Sequence, residues 1–356
     1  MNLDIPPIKD ELHNCLESQV CTVSSWWKRD FTLMFAEYWG FSFENNNQRR
    51  IGECINPVLG QFWEPLEKYH GIHLHLLKGF NTNNLIPLLK RELSLGIPVL
   101  VSMDSYWIPW EPGFQKYSIM HTFLLTGLNE EDKVFYCTDG NIGKRHVELE
   151  FQYAQKGSLN PIAKFEIIER FDSLIDWTII IRNSISRLDF YNSSQGIHEF
   201  ANHIEQGIDF ELELQGFEGV WWRAPLYLNL RDVIRGRLLF SRTLSYLSNR
   251  NNVSELEEWG QSLEKVANQW EIVRGILVKS IVMNDPQKTI KRASDRLHQI
   301  AFEEKALAKQ MKNLLRKHNQ LRPYKESLIL NYNLENINKE NQYYVHSYVP
   351  SHLIFK

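Results

Sequence analysis

The sequence predicts an α+β protein whose second half is all helix. Three observations point there. Up to about residue 185, short apolar runs rich in Val, Ile, Leu, Phe and Tyr alternate with helix-length segments. Two of those runs are joined by a five-residue polar turn, residues 129–133, as neighbouring antiparallel strands are. After Ser193 the apolar residues recur at three and four, the helical spacing. The chain of 356 residues therefore divides into 1–185, a helix plus a mostly antiparallel sheet, and 186–320, a helical domain. Residues 321–356 are rich in Asn and Tyr with weak periodicity, either a tail or a packed extension.

Each element has its own warrant. Leu16, Val20, Val23, Trp27, Phe31, Met34 and Tyr38 form one apolar stripe, which predicts a long first helix reaching Tyr38. Residues 72–77 read as a strand. Residues 84–95 read as a helix stopped at Gly96. Residues 97–103 read as a buried strand with Pro98 at its edge. Residues 121–128 and 134–139 make two further strands, and 146–150, 164–170 and 177–181 add strand-like runs. Ser254 and Glu257 have capping-box spacing and open a helix on Leu256, Trp259, Leu263, Val266, Trp270, Val273 and Leu277. Pro286 ends it. The next helix runs to about His318 on Ile290, Ala293, Leu297, Ile300, Met311 and Leu315.

Charge and composition exclude several classes. A formal net charge of −3 argues against an electrostatic nucleic-acid binder. There is no apolar stretch of about 18 residues, so no membrane span is expected. The N-terminus lacks the basic start and apolar run of a signal peptide, so the expected compartment is the reducing cytoplasm. Residues 189–218 carry seven acids and no Lys or Arg, whereas 286–320 carry nine Lys/Arg against three acids. The basic stretch reads as a solvated helix face or as a docking surface for an acidic partner.

Four cysteines, Cys15, Cys21, Cys54 and Cys137, are too few for a disulfide scaffold and lack the paired spacing of a structural zinc site. Cys15 stands at a helix start just after Asn14. Free N–H groups and the dipole there stabilise a thiolate and offer donors to an oxyanion. A thiolate nucleophile needs a base, and the base an orienting group. His121 begins one strand of the hairpin and Asp139 ends the other. A five-residue loop sets His121 opposite Asn141 and Phe123 opposite Asp139, so His121 and Asp139 become diagonal neighbours on one face. His73 and His75 alternate along a strand, but no carboxylate or cysteine at matching spacing completes a metal site, and none is expected.

Taken in order, Leu12-His-Asn-Cys15-Leu-Glu-Ser, the run from Gly96 through Asp104-Ser-Tyr106-Trp-Ile-Pro109-Trp, His121-Thr-Phe-Leu-Leu-Thr-Gly127 and Val134-Phe-Tyr-Cys-Thr-Asp139 resemble the butirosin-biosynthesis acyltransferase family, the BtrH type. The resemblance spans roughly residues 10–315. It implies a papain-like N-terminal domain with a Cys15–His121–Asp139 triad and a helical domain after it. It also implies a natural-product enzyme that moves an acyl group from an acyl or peptidyl carrier-protein thioester to a small-molecule amine. The phosphopantetheine arm would belong to the donor, with no cofactor bound by the enzyme. Asp104, Tyr106, Trp107 and Trp110 would line the substrate pocket, with Asn14 beside the oxyanion. The glutamine that many papain-like enzymes place about six residues before the cysteine is Lys9 here. Hydrolysis on the same triad and a non-catalytic scaffold are the alternatives.

Overall fold

A computed structural model describes residues 2–44, 46, 49–77, 82–169, 175–283 and 285–321. The extension from residue 322 onward lies outside the described residues. The chain is α+β: a two-stranded sheet and a six-stranded antiparallel sheet in the first part, and helices in the second.

Helix α1 is Cys15–Trp26. It is shorter than its apolar stripe. Lys28 turns left-handed at φ 56°, and Asp30 Oδ1 then accepts the N–H groups of Phe31 and Thr32 at 2.6 and 2.8 Å, starting a 3-10 turn over Thr32–Phe35. Met34 and Tyr38 stay buried, so the stripe continues into the core on a new axis. The chain then forms β1 (Ser42–Phe43), β2 (Ile55–Asn56), α2 (Trp63–His70), β3 (Ile72–Leu76) and α3 (Thr82–Ser94). Next come β4 (Val99–Asp104), β5 (Met120–Asn129), β6 (Val134–Asp139), β7 (Lys144–Glu150), α4 (Phe151–Lys156) and β8 (Asn160–Ile167). Strands 72–77, 97–103, 121–128 and 134–139 are found within two residues of their expected bounds. The last residue of the 164–170 run is outside the described residues.

The large sheet has the order β3-β8-β4-β5-β6-β7, with every pair antiparallel. Successive residues of β4 and β5 enter different cores, the period-two consequence of the pleat. Leu100 and Leu124 pack with Val20 and Val23 of α1, whereas Val101, Phe123 and Leu125 pack with Leu85, Leu88 and Leu89 of α3. The sheet is therefore covered on both faces, which is why its central strands read as unbroken apolar runs. Leu124 pairs Thr138 and Leu125 pairs Cys137, the register expected from the five-residue loop. A bulge between Leu125 and Gly127 shifts only the turn end.

The helices are α5 (Trp177–Phe190), α6 (Ser193–Glu205), α7 (Phe210–Leu214), α8 (Pro225–Asn251), α9 (Ser254–Ser280) and α10 (Gln287–Leu321). Two expectations are corrected here. Residues 177–181 are the first turn of α5, not a strand. Asp176 caps it through the Thr178 N–H at 2.9 Å, and Trp177, Ile180 and Ile181 are buried, so tertiary packing overrides the β-branched composition. Ser254 is already inside α9 and caps nothing; the N-cap is Val253. The apolar faces named for the last two helices are buried as expected.

The helical part packs directly against the first part. Glu304 accepts from Trp39 Nε1 at 2.9 Å, Arg237 Nε at 2.9 Å and Trp270 Nε1 at 3.1 Å, while Arg237 Nη1 donates to the Gly40 carbonyl at 2.6 Å. Gly236 sits where a Cβ would lie 2.3 Å from the Tyr38 carbonyl oxygen, so α8 approaches that backbone too closely for any side chain. The acidic stretch is partly spent on internal contacts. Glu213 accepts from the Ile51 and Gly52 N–H groups, Glu205 pairs with Lys291, and Asp189 pairs with Lys312. Among the described residues no helix is long and apolar enough to cross a membrane.

Candidate active site

Cys15 is the first residue of α1, and Asn14 is its N-cap. The Asn14 side chain accepts the Glu17 N–H at 2.9 Å, and Glu17 Oε2 accepts the Asn14 N–H at 2.8 Å. This is a capping box with Asn in place of Ser or Thr. The N–H groups of Cys15 and Leu16 then have no intrahelical acceptor and stand beside the sulfur, at the positive end of the helix dipole. Asn14 directly precedes Cys15 in the chain, and its side-chain oxygen is committed to the cap.

The structure brings Cys15, His121 and Asp139 together. His121 Nε2 lies 2.7 Å from Asp139 Oδ2, and the Cys15 thiol is close enough to the His121 ring and to Thr122 for both to influence its proton affinity. With Nε2 held by Asp139, Nδ1 is the nitrogen available to the thiol proton, and Glu111 Oε1 lies 3.0 Å from the same nitrogen. Asp139 is fully buried, accepts Trp110 Nε1 at 2.9 Å and accepts the Ile142 N–H at 3.1 Å. The contacts explain the proton affinities. Burial alone would raise the Cys15 pKa, but the hydrogen bond and charge of His121, then the contacts with Thr122, outweigh it and lower it. Burial alone would lower the His121 pKa, but Asp139 and Cys15 raise it to about 10. Burial would raise the Asp139 pKa, and His121 and Trp110 bring it below the ordinary value. Together these shifts favour moving the Cys15 proton onto an imidazole that a carboxylate backs. By contrast, burial raises the pKa of Cys21, Cys54 and Cys137.

The remaining expected pocket residues divide. Trp110 belongs to the site: besides its bond to Asp139, it meets Phe123 edge-on at 5.3 Å. Trp107 instead packs on α4, with Tyr153 at 6.3 Å and the Lys156 ammonium 5.2 Å from its ring. Tyr106 leans edge-on against Trp107. Asp104 accepts from the Tyr106 N–H at 3.0 Å and from the Ser118 hydroxyl at 2.6 Å, which fixes the turn after β4.

Two residues that sequence reasoning missed complete the site. Gln19 is fully buried on α1. Its Nε2 donates to the Thr122 carbonyl at 3.0 Å, and its Oε1 accepts the Gly140 N–H at 3.0 Å. It ties α1 to both strands of the hairpin. Its position four residues after Cys15, one helical turn on, was the available signal. Glu111 is the only acid between β4 and β5. Its Oε1 lies 3.0 Å from His121 Nδ1, with its side chain 12% exposed. Burial and then the charge of Asp139 raise its pKa against the pull of His121. No spacing rule places a loop acid there.

Glu111, His121 and Asp139 each offer a ligand atom, all within 4.8 Å of one another. A cation held by all three through Nε2 would have to displace the His121–Asp139 hydrogen bond. The His73 and His75 rings lie 4.4 Å apart, and each pairs with a carboxylate that sequence spacing did not reveal, His73 with Glu67 and His75 with Glu166. Compared with family models and with curated proteins, the chain matches none.

Proposed function

We propose that the chain is a cysteine-dependent acyltransferase on a papain-like domain, transferring an acyl group from a carrier-protein thioester to an amine. The observation that carries this reading is an imidazole whose Nε2 is bound by a buried carboxylate and whose influence lowers the pKa of the Cys15 thiol at a capped helix start. A helix bearing the nucleophile, packed on an antiparallel sheet that carries the base and its carboxylate, supports the papain-like assignment.

In this mechanism the Cys15 thiolate attacks the thioester carbonyl. The N–H groups at the start of α1 receive the oxyanion. As the tetrahedral species collapses, the donor thiolate leaves and takes the proton from His121. His121, now neutral, removes a proton from the attacking amine. The second collapse expels Cys15 as thiolate and restores the ion pair. The carrier protein would dock on the exposed cations of α10, among them Lys288, Arg292, Lys305 and Lys309, since Lys291 and Lys312 are already paired to the chain's own acids. A cytoplasmic location is part of the same reading.

Intact-mass measurement after exposure to acyl-pantetheine thioesters tests it. An acyl adduct on the wild type that is absent from Cys15→Ser, and that an added amine removes as amide, is the expected result. Release to water only would assign a hydrolase, and no adduct would leave a binding protein.

A further inference from the structure

We infer that Glu111 is the residue that receives the acceptor, binding it as its ammonium ion and taking its first proton. This deepens the acyltransfer reading above and rests on it. In the resting site the His121 ring stands between two carboxyl groups, Asp139 Oδ2 at 2.7 Å from Nε2 and Glu111 Oε1 at 3.0 Å from Nδ1, with the Cys15 thiol as its third partner. Acylation removes the thiolate and takes the His121 proton away with the departing donor. Two carboxylates then remain around a neutral ring. Among the described residues neither of them is paired with a Lys or Arg. Buried carboxylates without a cation are costly, so this stage of the cycle favours entry of a cation. Asp139 is sealed at 0% exposure and committed to His121, Trp110 and the Ile142 N–H. Glu111 retains 12% exposure and no side-chain donor other than His121 among the described residues, so it is the carboxylate an incoming ligand can reach.

The proton count closes. A primary amine at neutral pH arrives as R–NH3+ and must lose two protons to become an amide nitrogen. Glu111 accepts the first, which frees the nitrogen lone pair. The nitrogen then attacks the acyl carbon, His121 Nδ1 accepts the second proton, and the C–S bond to Cys15 breaks. The Glu111 carboxylic acid finally releases its proton to solvent. The balance is thioester plus ammonium giving amide, thiol and one proton, with no redox step.

The test supplies p-nitrophenyl acetate as donor at pH 7, with n-butylamine and hydroxylamine competing for the acetyl-enzyme. Hydroxylamine is mostly uncharged there and needs no ammonium site. Cys15→Ser gives the background for subtraction. The readout is the ratio of N-butylacetamide to acetohydroxamate, which a loss shared by both nucleophiles does not move. Glu111→Gln lowers that ratio at least tenfold, and Glu111→Asp restores part of it. An unchanged ratio in Glu111→Gln, with an acetyl-enzyme present, overturns this inference alone. Absence of any acetyl-enzyme on wild-type Cys15 overturns the acyltransfer reading and this inference with it.

Discussion

Arg235 of α8 holds the carboxylate that closes the cap of the Cys15 helix: its Nη2 lies 2.5 Å from Glu17 Oε2, and its Nε donates to the Leu12 carbonyl at 2.5 Å. Tyr38 donates to the other oxygen of Glu17 at 2.8 Å. Through Arg235, the helical part is joined to the segment that presents the nucleophile.

Removing one partner strands a buried charge. Arg235→Met is expected to cost about 3–5 kcal/mol, because Glu17 is 1% exposed and would lose its buried cationic partner. The double variant Glu17→Gln/Arg235→Met should recover much of that loss, since the glutamine oxygen can still accept the Asn14 N–H while its NH2 donates to the Tyr38 hydroxyl oxygen. Urea unfolding of the two variants checks the order.

The seam between α1 and the hairpin makes a second prediction. Gly140 has no room for a Cβ, which would lie 2.5 Å from Thr22 Oγ1 and 2.8 Å from the Ser18 carbonyl oxygen. Gly140→Ala should push the Asp139 turn off α1, reducing both stability and reaction at Cys15. Gln19→Leu should cost roughly 1–3 kcal/mol for each backbone group it strands, namely the Gly140 N–H and the Thr122 carbonyl. Denaturation midpoints and thiol alkylation rates, measured together, separate loss of fold from loss of alignment.

Orientation of the base is a third. Asp139→Asn should lower acyl transfer by about 10²–10⁴-fold, the range assigned to general acid–base catalysis. Trp110→Phe removes one hydrogen bond to the carboxylate and should cost about tenfold, the rate equivalent of a roughly 1.5 kcal/mol bond to a charged group. Single-turnover rates on a fixed thioester give both numbers.

Much of this site was legible before the structure. The His121–Asp139 pairing followed from strand parity and a five-residue loop, and the bulge lies on the turn side of the pairs that matter. Cys15 followed from its place at a helix start. The capping box was harder to read, because its residues are Asn14 and Glu17 while Ser254 and Glu257 carry the commoner pattern. The end of α1 was hidden because the apolar stripe runs on through Tyr38 after the backbone has turned at Lys28. Residues 178–181 are β-branched and, Ile179 apart, buried, and burial alone does not separate a strand from a helix. Glu111 comes from the loop before β5 and Arg235 from the distant α8, and only tertiary packing brings them to the site.

Protonation of His121 makes a pH prediction. Its folded pKa, about 10, stands above the ordinary imidazole value near 6.5. The stabilisation from its charge is complete below about 6.5, where the unfolded chain also carries the proton. It declines as pH rises and is gone above about 10. The stability difference between wild type and His121→Gln should therefore shrink steadily from neutral to alkaline pH. Urea unfolding at stepped pH values measures it.

The pH dependence of iodoacetamide alkylation at each of the four cysteines tests the thiolate–imidazolium pair most directly. Cys15 should react well below the ordinary thiol range, on a plateau that His121→Ala abolishes, while Cys21, Cys54 and Cys137 stay slow because burial raises their pKa values. Uniform, slow labelling of all four, rising only toward alkaline pH and unaffected by His121→Ala, would contradict the ion pair and the chemistry built on it.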